Sequence, residues 1–380
     1  MNNIRCGKAT TLTEREKDLF AKHLRQQGLS NNVWDLFDEW VARSTRRVSF
    51  FYLKLFTDDE LTGLGLFVKI KPFDLRTSYA ALRKNSFLGL LGGGLSALTN
   101  NCAYLSFRNL ITSNLSRPFF YREPEMADEM MKAILTCLRN EKEADMVTIV
   151  DTAVHDDVYQ TEGFAKYPSP SEAWLDATRY KDISEYLGEH RSLKKNLSRR
   201  KQSIVSEARQ GPLSDKDKEQ VKACVECSVE YSRVNTPCQK FFEDNIFETE
   251  VFNSDKYLHI LVRVNETISG FHTFQISGSN MGGVLGGFNR DHSRKSFAYE
   301  RVIVTSLDYA IKNNINRIHY SLIDNQTKLR LVECLEPCGL YFYSRNPLNR
   351  TVFKFTNRFG DLYQLQLLEK KEANKEKQRE

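Results

Sequence analysis

Long apolar runs are missing from this sequence. The most apolar stretch, Ser86 to Leu98, is thirteen residues with three consecutive glycines, well short of the ~20 needed to span a bilayer. The N-terminal residues run through Arg5, Lys8, Glu14, Arg15 and Glu16 rather than the apolar core of a secretory signal. The expectation is a cytoplasmic protein with no membrane partner. Cysteine is sparse: eight in 380 residues, with no dense framework, as expected of reduced thiols. Charge of one sign is not in excess either. The 55 basic and 49 acidic residues leave +6, too little at this length to imply nucleic acid by itself. Aromatics are plentiful, with 24 Phe and 16 Tyr, and 41% of the chain is apolar, which excludes a disordered protein. Two domains of ordinary size, each with its own core, are affordable at 380 residues.

One pattern occurs twice. Phe51 to Phe56 is β-rich, Thr57-Asp58-Asp59 reads as a turn, and Glu60 to Ile70 returns as a second strand. Leu258 to Val264, Asn265-Glu266 and Thr267 to Ile276 repeat that hairpin, with Gly63 and Gly270 in equivalent places. A further strand, a helix and a strand ending in aspartate follow each. Met126, Met130, Ile134 and Leu138 form the first helical stripe and Met146 to Asp151 the strand; Ile303, Leu307, Ala310 and Ile311 form the second stripe and Arg317 to Asp324 its strand. Gly163 and Gly339 come after a short gap. Helices are expected at Glu14 to Gln27 and Asn32 to Arg43 before the first copy, and at Ser184 to Arg209 and Ser214 to Arg233 before the second. The order fits a diverged duplication; the alternative is a common α/β order met twice by chance. The expected division is 1–180, with an insertion near 72–121, then 181–367 and a charged disordered tail at 368–380.

The segment Tyr186-Leu-Gly-Glu-His-Arg-Ser-Leu-Lys-Lys-Asn-Leu-Ser-Arg-Arg-Lys-Gln, with Asp324-Asn-Gln-Thr-Lys-Leu after the last strand, resembles the tandem GNAT-fold acyltransferases. That group includes the Fem-type aminoacyltransferases and related acetyltransferase-like proteins. The resemblance covers about Val48 to Tyr343. It implies an α/β (α+β) fold of two GNAT-like mixed-sheet units in tandem, and it places Asp324 and Lys328 at the acceptor site. It also implies an acyl-CoA donor held on a glycine-rich turn before a helix, where backbone N–H groups grip the pyrophosphate. The corresponding turns here, Arg290 to Phe297 and Asn114 to Arg122, contain no glycine. Arg290, Arg294 and Lys295 offer side-chain charge instead; an exposed basic turn is the other reading. Gln275 to Asn280 mimics the glycine motif but falls in a hairpin turn, where no helix follows.

Acyl transfer to an amine needs a deprotonated nucleophile, a positioned carbonyl and donors for the developing oxyanion. Candidate catalytic groups are Asp324, Glu300 and His272, with His319 on the opposite face of its strand from Asp324. Asp324 paired with Lys328 suits a zwitterionic acceptor, and Tyr231, Arg233 and Tyr299 are further substrate-binding candidates. Arg191 to Lys201 holds six cations in eleven residues, so Arg191, Lys194, Lys195, Arg199 and Arg200 are candidate tRNA contacts. The alternative there is a solvated helix balanced by Glu185, Glu189 and Glu207. Cys224 with Cys227 and Cys334 with Cys338 lack the histidines and knuckle glycine of a zinc site, and no metal is expected. The expected function is N-acyl transfer from an acyl-CoA-type donor to an amine of a small molecule or amino acid. A Fem-type aminoacyl-tRNA-dependent transfer and a catalytically degenerate binding protein are the alternatives.

Overall fold

The computed structural model describes residues 4–73, 102–107, 117–169, 171–198, 204–232, 241–242, 244–289, 292–293, 296–322, 326–347, 349–351 and 353–354. Two mixed sheets carry the architecture. The first contains β1 (Ile4–Ala9), β2 (Val48–Thr57), β3 (Glu60–Ile70), β4 (Ala103–Ser106), β5 (Phe119–Tyr121), β6 (Met146–Thr152) and β7 (Ala165–Pro168). The second contains β8 (Glu172–Asp176), β9 (Ile204–Gln210), β10 (Tyr257–Val264), β11 (Thr267–Ser277), β12 (Asn280–Phe288), β13 (Arg317–Leu322) and β14 (Cys334–Glu336). β15 (Cys338–Ser344) returns to the first sheet.

Turn chemistry sets both hairpins. Asp58 and Asp59 take left-handed φ of 48° and 66° between β2 and β3, and Asn265 takes 56° between β10 and β11, as tight hairpin turns require. The register shifts after Leu55, opposite Gly63, and again after Val262, opposite Gly270. Both glycines face a helix. A Cβ at Gly63 would stand 3.4 Å from Ile134 of α4 (Ala127–Asn140), and one at Gly270 would stand 2.9 Å from Cβ of Ala298 of α9 (Ala298–Lys312). The two positions are equivalent because each lets its helix reach the sheet.

The helical stripes bury Met130, Ile134 and Leu138 on α4 and Ile303, Leu307 and Ala310 on α9. Met126 is 43% exposed and stands outside the first stripe. The helix expected from Glu14 to Gln27 is two, α1 (Glu14–Asp18) and α2 (Ala21–Gln26), followed by α3 (Val33–Ala42). Ser184 to Arg209 is not one helix. α6 (Ile183–Glu189) and α7 (Arg191–Ser198) end before β9, which pairs with β10 from Ile204 to Gln210. A hydrogen-bonded ladder outweighs the helical leaning of a charged segment. α5 (Asp156–Thr161), α8 (Asp215–Ser232) and α10 (Gln326–Leu331) complete the longer helices among the described residues.

The sheets exchange strands across position 180. The first sheet runs β1-β2-β3-β4-β6-β15-β7, and the second β14-β8-β13-β12-β11-β10-β9. β8, from the first half of the chain, lies between β13 and β14; β15, from the last part, lies between β6 and β7. Gly163 and Gly339 are therefore not equivalent: Gly163 turns the chain after α5 at φ 78°, whereas Gly339 sits inside β15 opposite Asp151.

One apolar cluster spans both units. Trp34, Phe37 and Trp40 of α3 share it with Phe241, Phe252 and Phe271. A polar seam runs beside it: Ser279 N–H donates to Gly28 carbonyl (3.0 Å), Asn280 Nδ2 to Gln27 carbonyl (2.7 Å), Asn32 Nδ2 to Ile276 carbonyl (2.9 Å) and Gln275 Nε2 to Asn32 carbonyl (3.0 Å). Gly278 and Gly28 face each other there with φ of 58° and 71°. Cys6 and Cys137 are joined by a disulfide with their Cα atoms 6.2 Å apart, so the expectation of thiols throughout fails for this pair, which the fold brings together across 131 residues. Among the described residues no helix is long and apolar enough to cross a membrane.

Candidate active site

β12 has the sequence NMGGVLGGF. It pairs with β11 along its length, but with β13 only over Asn280–Gly282 opposite Arg317–His319. On its other side β13 pairs with β8 throughout, from Arg317 opposite Asp176 to Leu322 opposite Glu172, with a register shift after His319. The two central strands therefore separate and leave a wedge. On the β11 side Thr273 faces Leu285 and Phe274 faces Gly283, so Val284 is the extra residue of a bulge. A bulged residue drops out of the ladder, which releases its backbone N–H from sheet pairing.

His272 stands beside the bulge. A Cβ at Gly286 would lie 2.9 Å from its Nδ1, and one at Gly283 would collide with its Nε2. The ring stacks on Phe274 at 4.5 Å and meets Tyr320 edge-on at 6.3 Å. Tyr320 is itself packed away, its hydroxyl 2.6 Å from Ser306 Oγ. Two glycines thus make room for a half-buried imidazole in the mouth of the wedge.

The segment that leads into α9 is braced from several directions. Asn289 N–H donates to Ser269 carbonyl (3.0 Å), Ser296 Oγ lies 3.1 Å from Ser269 Oγ, and Arg301 donates from Nε to Ser296 carbonyl (3.0 Å) and from Nη2 to Leu197 carbonyl (3.1 Å). Phe297 takes a left-handed φ of 52°, and no side chain caps the helix. A left-handed residue before an uncapped helix fits the backbone-amide grip on phosphate, although the residue is not glycine. Tyr299 packs on Phe288 at 5.3 Å, and Glu300 is half-buried in the first turn.

The corresponding wedge of the first unit is filled. β4 pairs with β6 over three residues, while β5 stays on β3. Asp151 is 2% exposed and accepts from Tyr159 hydroxyl at 2.9 Å; Tyr159 stacks on Tyr341 at 3.6 Å. Tyr121 is wholly buried beside them, its pKa raised by burial and then by the Asp151 charge. The aspartate that ends this strand serves packing.

Of the sequence-derived candidates, His272, Glu300 and Tyr299 belong to β11 and the first turn of α9. Lys328 is 6% exposed on α10. α10 follows β13 as α5 follows β6, and it buries Lys328 and Leu329 where α5 buries Val158 and Tyr159. Asp324, Arg233, Arg290, Arg294, Lys295, Arg199 and Arg200 lie outside the described residues, as does the side chain of Tyr231. Arg191, Lys194 and Lys195 are exposed on α7. The acids expected to balance them are engaged elsewhere: Glu185 accepts from Lys181 N–H, Glu189 from Tyr180 and Glu207 from Arg263.

Burial pushes the Cys224 thiol up to about 12. Cys334 and Cys338 belong to different sheets. Among the described residues no three histidine, cysteine or carboxylate side chains gather as a metal site requires. Sequence reasoning missed the bulge at Val284 and the role of Arg301. The Gly-Gly-Val-Leu-Gly-Gly run was a signal for the first, since glycines inside a strand mark bulges and close approaches.

No family model matches the chain, and no curated protein does. Several solved structures do. FemX is 12% identical, with a TM-score of 0.55 over 92% of this chain and 100% of that one. The C-terminal domain of a putative lysylphosphatidylglycerol synthetase from Agrobacterium fabrum is 8% identical, with a TM-score of 0.53 over 90% of this chain and 96% of that one. A tandem GNAT protein from the clavulanic acid biosynthesis pathway is 9% identical, with a TM-score of 0.53 over 91% and 99%. At these identities the likeness is one of fold, and the chain, with its two mixed sheets, has the tandem GNAT fold.

Proposed function

We propose that this protein is an N-acyltransferase whose reaction takes place in the wedge between β12 and β13, with an acyl-CoA-type donor and an amine of a small molecule or amino acid as acceptor. The observation that carries this reading is the juxtaposition of the Val284 bulge with His272 over Gly283 and Gly286. When bound, the donor supplies an activated carbonyl and a thiolate leaving group. The chain's part is to position and to move protons. The Val284 N–H, outside the ladder, donates to the carbonyl oxygen as charge develops. His272 takes the proton that the amine nitrogen loses as the C–N bond forms and the C–S bond breaks. Lys328 and Asp324 bind the charged groups of the acceptor, with Tyr231, Arg233 and Tyr299 around it, and Glu300 is the second candidate base. Arg290, Arg294 and Lys295, on the segment before α9, meet the donor phosphates. The filled wedge of the first unit favours the second unit as the reaction site and leaves the first as a wall of the groove.

Thermal stabilisation by acetyl-CoA or a longer acyl-CoA, reduced in Arg294→Ala, is the expected result. No shift at millimolar concentrations of any acyl-CoA sinks this reading. One observation favours a second: Arg191, Lys194 and Lys195 project from α7 while the nearby acids are committed elsewhere. Such a face suits the phosphates of aminoacyl-tRNA. Binding of tRNA that weakens steeply with salt and with Lys194→Ala plus Lys195→Ala supports a Fem-type donor, and salt-indifferent binding rejects it. If neither donor binds, a degenerate ligand-binding role takes over.

A further inference from the structure

We infer that Arg301 is a positioning residue that braces α7 against the first turn of α9 and thereby fixes the place where the anionic end of the donor is held. The inference rests on the acyl-CoA reading above. Arg301 stands in the first turn of a 15-residue helix, where a cation opposes the helix dipole. Burial lowers its pKa, so its surroundings also count against the charge. The compensation is visible: its guanidinium spans two backbone carbonyls, Ser296 at 3.0 Å and Leu197 at 3.1 Å. Leu197 lies in the last turn of α7, whose carbonyls have no partner within the helix. Ser296 lies two residues before α9, next to the left-handed Phe297, and its hydroxyl is tied to Ser269 of β11.

One side chain therefore ties the end of α7, which lies within the basic stretch Arg191 to Lys201, to Ser296, which in sequence directly follows the basic stretch Arg290 to Lys295. Leu193 is buried and Leu197 half-buried on α7, so the helix is seated by its apolar side and steered by this brace. A planar fork is needed to reach two carbonyls in fixed directions, and an ammonium does not supply it.

The test compares two thioesters, acetyl-CoA and S-acetyl-N-acetylcysteamine, which has no phosphates. With Arg301→Ala and Arg301→Lys, KM for acetyl-CoA is expected to rise about tenfold or more, as loss of one or two charge-assisted hydrogen bonds implies. kcat is expected to stay within about threefold, and turnover of the short thioester to be unchanged. Arg301→Lys keeps a cation and guards against a variant that fails to fold. Equal losses with both thioesters indicate general damage and overturn the proposal, as does an unchanged KM for acetyl-CoA. Failure of the wild-type protein to bind any acyl-CoA overturns the acyl-CoA reading first and this inference with it, and it is read before any variant is made.

Discussion

His272 is held by the absence of side chains opposite it, which makes its environment testable by adding one. His272→Gln is expected to lower kcat by roughly 10²-fold or more, the usual contribution of a general base, with the fold retained. Gly283→Ala places a methyl against Nε2 and is expected to displace the ring, reducing turnover while costing about 1–3 kcal/mol of stability through overpacking. Steady-state kinetics beside a denaturation curve separates the two effects. Tyr159→Phe is a contrasting case. Removing its hydroxyl leaves the buried Asp151 without that partner, so stability is expected to fall by about 1–3 kcal/mol with kcat and KM unmoved. A loss of turnover would return the first unit to the chemistry. The packing role of Asp151 was not legible in the sequence, where it read, like Asp324, as an aspartate ending a strand. It depends on Tyr159, whose hydroxyl reaches Asp151 from α5, and on Tyr341, which stacks on Tyr159 from a strand nearly two hundred residues later and donates its hydroxyl to Asp156.

At the scale of elements, the hairpins and stripes were readable because their signals are local. Asp58-Asp59 and Asn265 tolerate left-handed backbone, and helical spacing brings Met130, Ile134 and Leu138 to one side. β9 was misread as helix because an edge strand needs only one partner, and that partner lies some fifty residues away in β10. The bulge at Val284 was likewise invisible, since register belongs to a pair of strands. The seam between the α2–α3 loop and the β11–β12 turn offers a sharp test. Gly278 has a φ of 58°, and a Cβ there would strike the Gly28 carbonyl. Gly278→Ala is therefore expected to destabilise the protein by about 1–3 kcal/mol, a loss that chemical denaturation will measure. A neutral result would show that the seam yields easily.

The whole molecule couples its halves through exchanged strands and a shared apolar cluster. Residues 1–180 expressed alone lack β15, which leaves facing edges of β6 and β7 unpaired, and residues 181–380 lack β8. Neither half is expected to fold alone, and the intact protein is expected to unfold in one transition. Two separate calorimetric transitions would contradict this. Acid should weaken the whole. His23 and His259 are held down to about 4, by burial and then by Arg117 and Arg209 respectively, from an ordinary value of 6.5. The unfolded chain protonates these positions near pH 6.5 and the folded chain only near 4. The stability they confer is thus complete above about pH 6.5 and is lost as pH falls towards 4, by roughly 3 kcal/mol each at the lower end. Denaturation midpoints across that window, compared with His259→Gln, check the sign.

The sequence by itself determined the hairpins, the two helical stripes and the recurring order that resembles a tandem acyltransferase fold, because each follows from residues close together in the chain. Tertiary structure alone decided that the first unit packs its Asp151 among tyrosines, which strands cross between sheets and that the end of α7 meets the entry to α9 at Arg301. Those outcomes depend on ladders and packing between segments tens to hundreds of residues apart, and no local pattern encodes which partner fills a given space.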